Sequence, residues 1–292
     1  MADGWHEGER AVQARAGVVN PQKLRAGVRD ALPPHFEAFL AAQRFVVLAT
    51  RDADARVWCS MIPGWPGFAT AVHPQLVSLD RRAFTDAEML AHLALDPRIG
   101  MLAFDPSTRR RIRVNGVASI ASDHVALSIV ETFGNCQQYI QKRPAAGPTP
   151  GDVIVRASGE SLETHQRQWI AAADTCFLAT VHDRNGLDAS HRGGRPGFIA
   201  VLDERTIAFH DYPGNDMFQS LGNLTADSAA GMLFVDFTTG STLQLSGDAQ
   251  VEWNLEASPT GRSVRFTARR MIEKRPAQPW HWPVVEYSPV NP

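Results

Sequence analysis

The chain has no marked excess of charge of either sign. Its 29 basic residues stand against 31 acidic residues, and the formal net charge is −2. Proteins that bind nucleic acid or an anionic membrane through their overall field carry a clear positive excess. We therefore expect neither nucleic acid nor a membrane as a partner, and any anion-binding site must be local.

Long apolar segments and cysteine pairs are also missing. No apolar run approaches the roughly 18 residues of a membrane span, and the first residues, MADGWHEGERAVQARAG, lack the apolar core of a secretion signal. We therefore expect a cytoplasmic protein. Cys59, Cys136 and Cys176 are odd in number and widely spaced, which favours reduced thiols over a disulfide framework or a metal site.

What the sequence does contain is an internal repeat. The 292 residues, 44% of them hydrophobic, suffice for two domains. The segment WCSMIPGWPGF at 58–68 returns as DASHRGGRPGF at 188–198, with Ser, Gly and Pro-Gly-Phe shifted by 130 positions. Farther along, Gly-Met-Leu at 100–102 returns at 231–233, shifted by 131. Two offsets that differ by one insertion predict two copies of one fold.

Each copy has the pattern of short strands joined by turns. Segments such as TCFLATV, RTIAFHD and AAGMLFVDF are rich in β-branched and aromatic residues, which predicts antiparallel β-structure. Helices are expected within the copies at 85–96 and 215–227, and as lead-ins before them at 31–43 and 159–173. The resulting boundaries are 1–29 for an N-terminal lead-in segment, 30–145 for the first repeat, 146–159 for a linker, and 160–292 for the second repeat with a C-terminal tail.

Several motifs point to a known family. The second copy contains SHRGGRPGF and, after it, PGNDMFQSLGN. Together these resemble the pyridoxamine 5′-phosphate oxidase-like proteins, which are flavin-binding split barrels. HEGERAVQARAG near the N-terminus, RRRIRVNG at 109–116 and GNCQQYIQKR at 134–143 resemble the longer, two-repeat branch. The resemblance implies a mainly β fold with short helices (α+β), built as two tandem split β-barrels related by internal duplication.

The same resemblance implies a cofactor and its position. It favours flavin mononucleotide (FMN), with FAD or another flavin-like ligand as alternatives. In single-repeat relatives the flavin lies between the two barrels of a homodimer, so we expect an inter-barrel site in this chain. Whether the second barrel comes from the same chain or from a homodimer partner stays open at this point.

The two copies differ in charge at matching positions. Met61 and Ile62 stand where the second copy has His191 and Arg192. Guanidinium groups bind phosphate through paired hydrogen bonds, and helix starts attract anions. We therefore predict that the second copy holds the phosphate, whereas Arg113, at the position of Gln244, is the candidate to reach across from the first copy. The predicted cofactor-binding residues are Ser190, His191, Arg192, Arg195, Asn215, Ser220, Asn223 and Arg113.

Some segments allow two interpretations. Strand alternation places Arg109, Arg111 and Arg113 on one face, and a solvated basic face is the alternative to a ligand role for Arg113. Residues 134–143 are expected to form a docking helix with a buried Cys136. Two further expectations concern packing. We expect the Trp280 and Trp282 side chains to fasten the tail to a barrel or to lie near the flavin ring. We expect Met61, Ile62 and Trp65 to pack between the barrels.

The function favoured by the resemblance is a flavin-dependent oxidoreductase that acts on a small-molecule substrate. One alternative is a flavin carrier without turnover that delivers electrons to a partner reductase. The other is a split barrel that binds haem or a deazaflavin. The sequence identifies no catalytic residue, no metal ligands and no substrate.

Overall fold

The computed structural model describes residues 4–144, 147–148, 150–256 and 258–292. Within these ranges each half of the chain forms one antiparallel sheet, and the two sheets have matching strand orders. This confirms the predicted mainly β fold and its internal duplication. The predicted boundary between residues 145 and 146 lies outside the described residues.

The elements follow the chain in a repeated order. The N-terminal segment contains α1 (Glu7–Arg15) and α2 (Pro21–Arg25). The first repeat contains α3 (Glu37–Ala41), β1 (Phe45–Arg51), β2 (Val57–Pro63), β3 (Ala69–His73), β4 (Leu76–Asp80), α4 (Ala87–Leu95), β5 (Arg98–Asp105), β6 (Arg110–Ile120) and β7 (His124–Gly134). The second contains β8 (Val153–Gly159), α5 (Thr164–Ala172), β9 (Thr175–His182), β10 (Gly186–Gly193), β11 (Ile199–Val201), β12 (Thr206–His210), α6 (Gln219–Ala226), β13 (Ala229–Val235), β14 (Thr242–Trp253) and β15 (Arg262–Pro276).

Strand pairing shows how closely the halves correspond. The first sheet runs β2-β1-β5-β6-β7-β4-β3, and the second runs β10-β9-β13-β14-β15-β12-β11. Strand β8 pairs with the C-terminal half of β15 and is an addition to this common plan. The lead-in helix predicted over 31–43 is limited to α3, because Pro33 and Pro34 lack the N–H groups that helical hydrogen bonds need.

The two Pro-Gly-Phe turns occupy equivalent places. Gly67 and Gly197 have φ values of 95° and 94°, a left-handed conformation that glycine adopts at little cost. The N–H of Gly67 donates to Ala41 O at 2.7 Å, and the N–H of Gly197 donates to Ala171 O at 2.9 Å. Both turns are thus anchored to the end of the helix that precedes their barrel, which confirms the register predicted from the 130-residue offset.

The described residues form three large hydrophobic cores and one small cluster of Trp5, Phe133 and Met217. Each repeat has its own core, and a third core lies between them, formed by residues of both halves. Strands β1 and β9 are buried almost throughout, because one face of each lines its own barrel and the other lines the shared core. The rings of Phe104 and Phe177 meet in this shared core with centroids 5.4 Å apart.

Two equivalent glycines let the barrels approach each other. A Cβ atom on Gly100 would lie 2.7 Å from the Cα of Asp188 in β10. A Cβ atom on Gly231 would lie 2.7 Å from the carbonyl oxygen of Val57 in β2. Each glycine therefore packs against the second strand of the opposite repeat, so the halves are related by an approximate two-fold axis.

Helix α1 packs on the second repeat, whereas Arg25 and Arg29 of the same N-terminal segment contact β7 of the first. A Cβ atom on Gly8 of α1 would lie 2.1 Å from the carbonyl oxygen of Gly222 in α6, so the two helices cross in backbone contact. None of the helices in the described ranges combines the length and the apolar character of a membrane span.

Candidate functional site

A cleft opens where the two repeats meet. Strand β6 and the segment after β7 form the wall from the first repeat, and β10, the end of β12 and the start of α6 form the wall from the second. The space not filled by atoms is about 790 Å³, including the mouth open to solvent. Residues along the walls include Arg111, Arg113, Cys136 and Tyr139 from the first repeat and His191, Arg192, His210, Asp211, Tyr212, Asn215 and Ser220 from the second.

Strand alternation directs two arginines of β6 into this cleft. Arg111 and Arg113 share one face, whereas Arg110 points the other way and lies over the ring of Phe39, 4.8 Å from its centroid. Arg109 precedes the strand and has a φ of 53°, so it leaves this face and bonds to the C-terminal tail. The predicted basic face is therefore largely an interior surface of the cleft.

Arg111 is a buried cation without a carboxylate partner among the described residues. Its Nη1 lies 2.8 Å from Nδ1 of His191, and its Nη2 lies 3.8 Å from Sγ of Cys136. Only 9% of the residue is exposed, and burial lowers the pKa of its guanidinium to about 10. A buried charge without a counter-ion is costly, so this position favours an anion from solution.

The contact with Arg111 fixes the tautomer of His191. A guanidinium only donates hydrogen bonds, so Nδ1 of His191 accepts and the ring proton resides on Nε2. Burial, together with the positive charges of Arg111 and Arg192, holds the pKa of this imidazole well below its usual value of 6.5. Nε2 is buried and has no partner. His191 therefore presents an unused N–H donor from a neutral ring.

Arg192 is only partly neutralised. Its Nη1 lies 3.5 Å from Oδ1 of Asp211, while Oδ2 of the same carboxylate accepts from Nε of Arg262 at 3.0 Å. One carboxylate is thus shared between two guanidinium groups. Burial lowers the pKa of Arg192, and its Nε has no partner in the structure.

Arg113, in contrast, has a counter-ion. Its Nη1 donates to Oδ2 of Asp188 at 2.8 Å and lies 3.2 Å from Oγ of Ser220. Ser220 itself donates to Asp188 at 3.1 Å. This side of the cleft is balanced, so the uncompensated positive charge is concentrated at Arg111 and Arg192.

Several residues that line the cleft carry buried nitrogen atoms without a partner among the described residues. Helix α6 begins after Phe218 without a capping side chain, which leaves its first N–H groups to another acceptor. Nine buried side-chain nitrogen or oxygen atoms of the described residues have no partner, and four of them belong to cleft residues. These are Nε of Arg111, Nε2 of His191, Nε of Arg192 and Nδ1 of His210. An anion rich in oxygen acceptors fits this donor set.

The structure brings five of the eight predicted residues together in the cleft, namely His191, Arg192, Asn215, Ser220 and Arg113. The other three lie outside it. Ser190 is buried and donates to Leu178 O at 3.2 Å, and Arg195 turns away to lie 5.2 Å from the ring centroid of Tyr287.

Asn223, the third residue outside the cleft, fastens a helix to a strand. Its Nδ2 donates to Oγ1 of Thr180 at 3.0 Å. In the first repeat, Nδ1 of His92 lies 3.1 Å from Oγ1 of Thr50 at the equivalent position. Because both repeats keep this link, it belongs to the barrel and not to the difference in charge.

The segment after β7 forms a turn, so the predicted docking helix over 134–143 is wrong. Tyr139 has a φ of 64°, which breaks any helix at that point. Its carbonyl oxygen packs so closely on Gly193 that a Cβ there would lie 2.2 Å away. Its hydroxyl donates to Pro213 O at 2.9 Å, and its ring lies 5.1 Å from that of Tyr212. The turn thus brings Cys136 and an aromatic pair to the cleft.

Most of the aromatic residues predicted at the barrel interface lie there. Trp282 is 3% exposed and packs edge-on against Phe45, with Trp280 beside it, so the tail is stapled to the shared core. Met61 contacts the same core. Trp65 is 58% exposed, so its predicted inter-barrel packing is wrong. Ile62 packs inside the first barrel instead.

The pseudo-symmetric counterpart of the cleft, where β14 of the second repeat faces the first repeat, has no matching cationic set. Thr242 and Gln244 stand where the cleft has Arg111 and Arg113. The Lys274 ammonium fills that region and pairs with Asp86 and with Glu88, the latter at 3.0 Å. A cation already held between two carboxylates gives no site for a phosphate.

His6, Glu7 and His182 form the one His-carboxylate cluster of metal-binding size in the described residues. Nδ1 of His6 accepts the N–H of Gly8 at 3.1 Å, and Nδ1 of His182 accepts the N–H of Arg184 at 3.3 Å. A metal on Nε2 would place a proton on each Nδ1, opposite those backbone donors. The cluster is a hydrogen-bonded contact between α1 and β9.

Comparison with known proteins agrees with this architecture. The family model described as pyridoxamine 5′-phosphate oxidase matches the chain twice, over residues 32–156 and 162–282. No curated protein is significantly similar to the chain.

Several solved structures align with about one repeat. HupZ from Group A Streptococcus is 13% identical, with a TM-score of 0.31, and the alignment covers 38% of this chain and 91% of that one. A protein related to general stress protein 26, from Clostridium acetobutylicum, is 11% identical, with coverages of 41% and 92% and a TM-score of 0.29. The FAD-binding protein from Mycobacterium smegmatis is 14% identical, with coverages of 41% and 98% and a TM-score of 0.27. On the double match of the family model, the chain belongs to the pyridoxamine 5′-phosphate oxidase family, as a tandem pair of its split barrels.

Proposed function

We propose that the chain binds a flavin nucleotide, FMN, with the phosphate in the inter-repeat cleft. The observation that carries this proposal is Arg111, a buried guanidinium without a carboxylate partner, beside the unused N–H of His191. A phosphate dianion would supply the missing negative charge and accept these hydrogen bonds. The family resemblance adds the flavin as the molecule to which that phosphate belongs.

Each side chain of the cleft has a distinct part in this proposal. Arg111 and Arg192 would bind the phosphate oxygens, and His191 would donate from Nε2. The uncapped start of α6 would add backbone donors and its positive dipole end. Arg113 and Ser220 are already bonded to Asp188, so their part is to hold the wall of the cleft.

The bound flavin would supply electron or hydride transfer, whereas the protein would supply binding, orientation and exclusion of water. The Tyr139 and Tyr212 rings give the cleft an apolar margin. These features suit a flat aromatic ring beside an anionic tail. We propose oxidoreductase activity on a small-molecule substrate as the function of this arrangement.

Absorbance and mass spectrometry of the ligand released from freshly purified protein test the identity of the cofactor. Flavin absorbance bands together with the mass of FMN would support the proposal. The mass of FAD or of a deazaflavin would change the identity of the proposed cofactor, and a Soret band would refute the proposal. Reduction by NAD(P)H followed by reoxidation by a small molecule would favour an enzyme. Electron transfer only to an added reductase partner would favour a carrier.

The location of the phosphate is tested by a matched pair of variants. We expect Arg192→Ala to weaken FMN binding roughly ten- to a hundredfold, because a charge-assisted contact is lost. Met61→Ala, at the position matching His191 in the uncharged repeat, should leave the FMN content unchanged. Equal flavin loss in both variants would contradict a phosphate site in this cleft.

A further inference from the structure

We infer that the N-terminal helix α1 is a positioning element of the cleft, acting through Gln13 on the turn that leads into α6 at the rim of the cleft. This inference rests on the proposed anion site, because it concerns how that site is held in shape. Helix α1 precedes both segments matched by the family model, which begin at residue 32. It is therefore an addition to the two barrels.

The turn that α1 supports has a strained backbone. Residues 211–218 connect β12 to α6 and form one rim of the cleft. Asp216 and Phe218 have φ values of 56° and 60°, a left-handed conformation that is unfavourable for residues with a side chain. Such a conformation persists only when the surroundings hold it.

Gln13 supplies that support from behind the cleft. It lies on α1, is 1% exposed, and its Nε2 donates to Met217 O at 3.0 Å. Met217 is the residue between the two left-handed positions. The hydrogen bond therefore fixes the peptide between Met217 and Phe218, directly before α6, where Ser220 faces the cleft.

Besides the contact of Glu7 with His182 on β9, two contacts hold α1 against α6. Gly8 and Gly222 cross in backbone contact, and Nε2 of His6 lies 3.0 Å from Oδ1 of Asn223. Among the described residues, the equivalent helix α4 of the first repeat has no such partner, and the counterpart of the cleft beside α4 has no matching cationic set. The extra helix accompanies the charged site.

The test compares FMN affinity in full-length variants, measured by flavin fluorescence well below the unfolding temperature. Gln13→Met keeps the length of the side chain and removes the donor, and Gly8→Ala pushes α1 away from α6. His92→Ala is the control, because it removes a helix-to-strand hydrogen bond from the uncharged repeat. Visible circular dichroism of the bound flavin reports on cofactor geometry, which a change in stability alone would not alter.

We expect Gln13→Met to raise the FMN dissociation constant roughly three- to tenfold, with Gly8→Ala at least as large. Both should alter the circular dichroism of the bound flavin and weaken competition by inorganic phosphate. His92→Ala should keep the wild-type dissociation constant. Wild-type affinity and spectra in Gln13→Met would overturn the positioning role. Failure of the wild-type protein to bind FMN would instead refute the proposed function.

Discussion

Nη1 of Arg111, in the first repeat, lies 2.8 Å from Nδ1 of His191, in the second. This hydrogen bond joins the two halves within the cleft, as does the Arg113–Asp188 ion pair. The hydrogen bond also leaves Arg111 and His191 each with an unused N–H group, on Nε of the arginine and Nε2 of the histidine. The anion site that we propose is thus shared between repeats, and neither half contains it alone.

Replacement of Arg111 should weaken FMN binding, whereas replacement of its counterpart in the other repeat should not. We expect Arg111→Met to weaken FMN binding roughly ten- to a hundredfold, because the buried charge and its hydrogen bonds are lost. Thr242→Ala changes the position on β14 that is equivalent to Arg111 in the pseudo-symmetric counterpart of the cleft, and it should leave the affinity unchanged. Isothermal titration with FMN measures both, and equal affinities in the two variants would contradict a role for Arg111.

His191 should donate to the anion without taking up a proton. Burial and the neighbouring guanidinium groups hold its pKa well below 6.5, so it stays neutral through neutral pH and has no charge to lose as the pH rises. Sulfate is a suitable probe, because it remains a dianion whereas phosphate titrates near pH 6. We expect His191→Phe to weaken sulfate binding by a constant factor, roughly three- to tenfold, from pH 8 to pH 5.5. A difference between wild type and variant that grows tenfold below pH 6.5 would show a protonated imidazole.

Cys136 offers a chemical probe of occupancy. Its thiol lies in the cleft, 3.8 Å from Nη2 of Arg111. We expect FMN to slow its alkylation by iodoacetamide at least severalfold, as followed by peptide mass spectrometry. Cys59 and Cys176 are the internal controls, because both are fully buried in the folded protein and burial raises the pKa of each thiol. Alkylation of Cys136 at the same rate with saturating FMN would place the flavin elsewhere.

Glu9 should make the folded state sensitive to alkaline pH. Burial raises the pKa of this carboxyl from 4.5 to about 8, with further contributions from Glu131 and Asp188. Its stability contribution is complete below pH 4.5 and is lost as the pH rises to about 8, because the unfolded chain releases the proton first. Glu9→Gln should therefore raise the free energy of unfolding at pH 8.5, on the order of 3 kcal/mol, and change it little at pH 4.

The matched control for this prediction is Glu7, on the exposed side of α1. Hydrogen bonds from the backbone and from His182 lower the pKa of its carboxyl to about 2. Its stabilising effect is present above its unfolded pKa and is lost as the pH falls. Glu7→Gln should therefore destabilise the protein at pH 7 and not at pH 2. Urea unfolding across this range measures both variants, and parallel pH profiles would contradict the assignment of Glu9.

The fold could be predicted from the sequence because the internal duplication is visible as repeated residues, whatever the packing of those residues. The repeated Pro-Gly-Phe, with Gly67 and Gly197 in matching left-handed turns, identifies equivalent strands directly. Charge differences between copies also selected residues of the cleft, such as Arg192. The motif resemblance could not separate a ligand contact from a structural one, so Ser190 was included although it bonds to the backbone of Leu178.

The other differences between the predicted residues and those that line the cleft have physical causes. Arg111 was passed over because a basic strand face is usually solvated, and only the second barrel makes that face interior. Strand alternation with Arg113 was the signal that could have found it. The spacing of apolar residues could not predict the turn at Tyr139. A non-glycine residue keeps a left-handed conformation only where its surroundings hold it. Arg195 had the correct charge, but the tail residue Tyr287 draws it away.

The reciprocal contacts of Gly100 and Gly231 have a consequence for how such a protein can change over time. In a symmetric assembly of identical chains, every substitution appears on both sides of the axis, and a gain at one cleft is copied into the other. When the two halves belong to one chain, a substitution in one half is not copied into the other. Thr242 and Lys274 could then arise on one side while Arg111 and His191 persisted on the other, so tethering lets the two halves divide scaffold and chemistry between them.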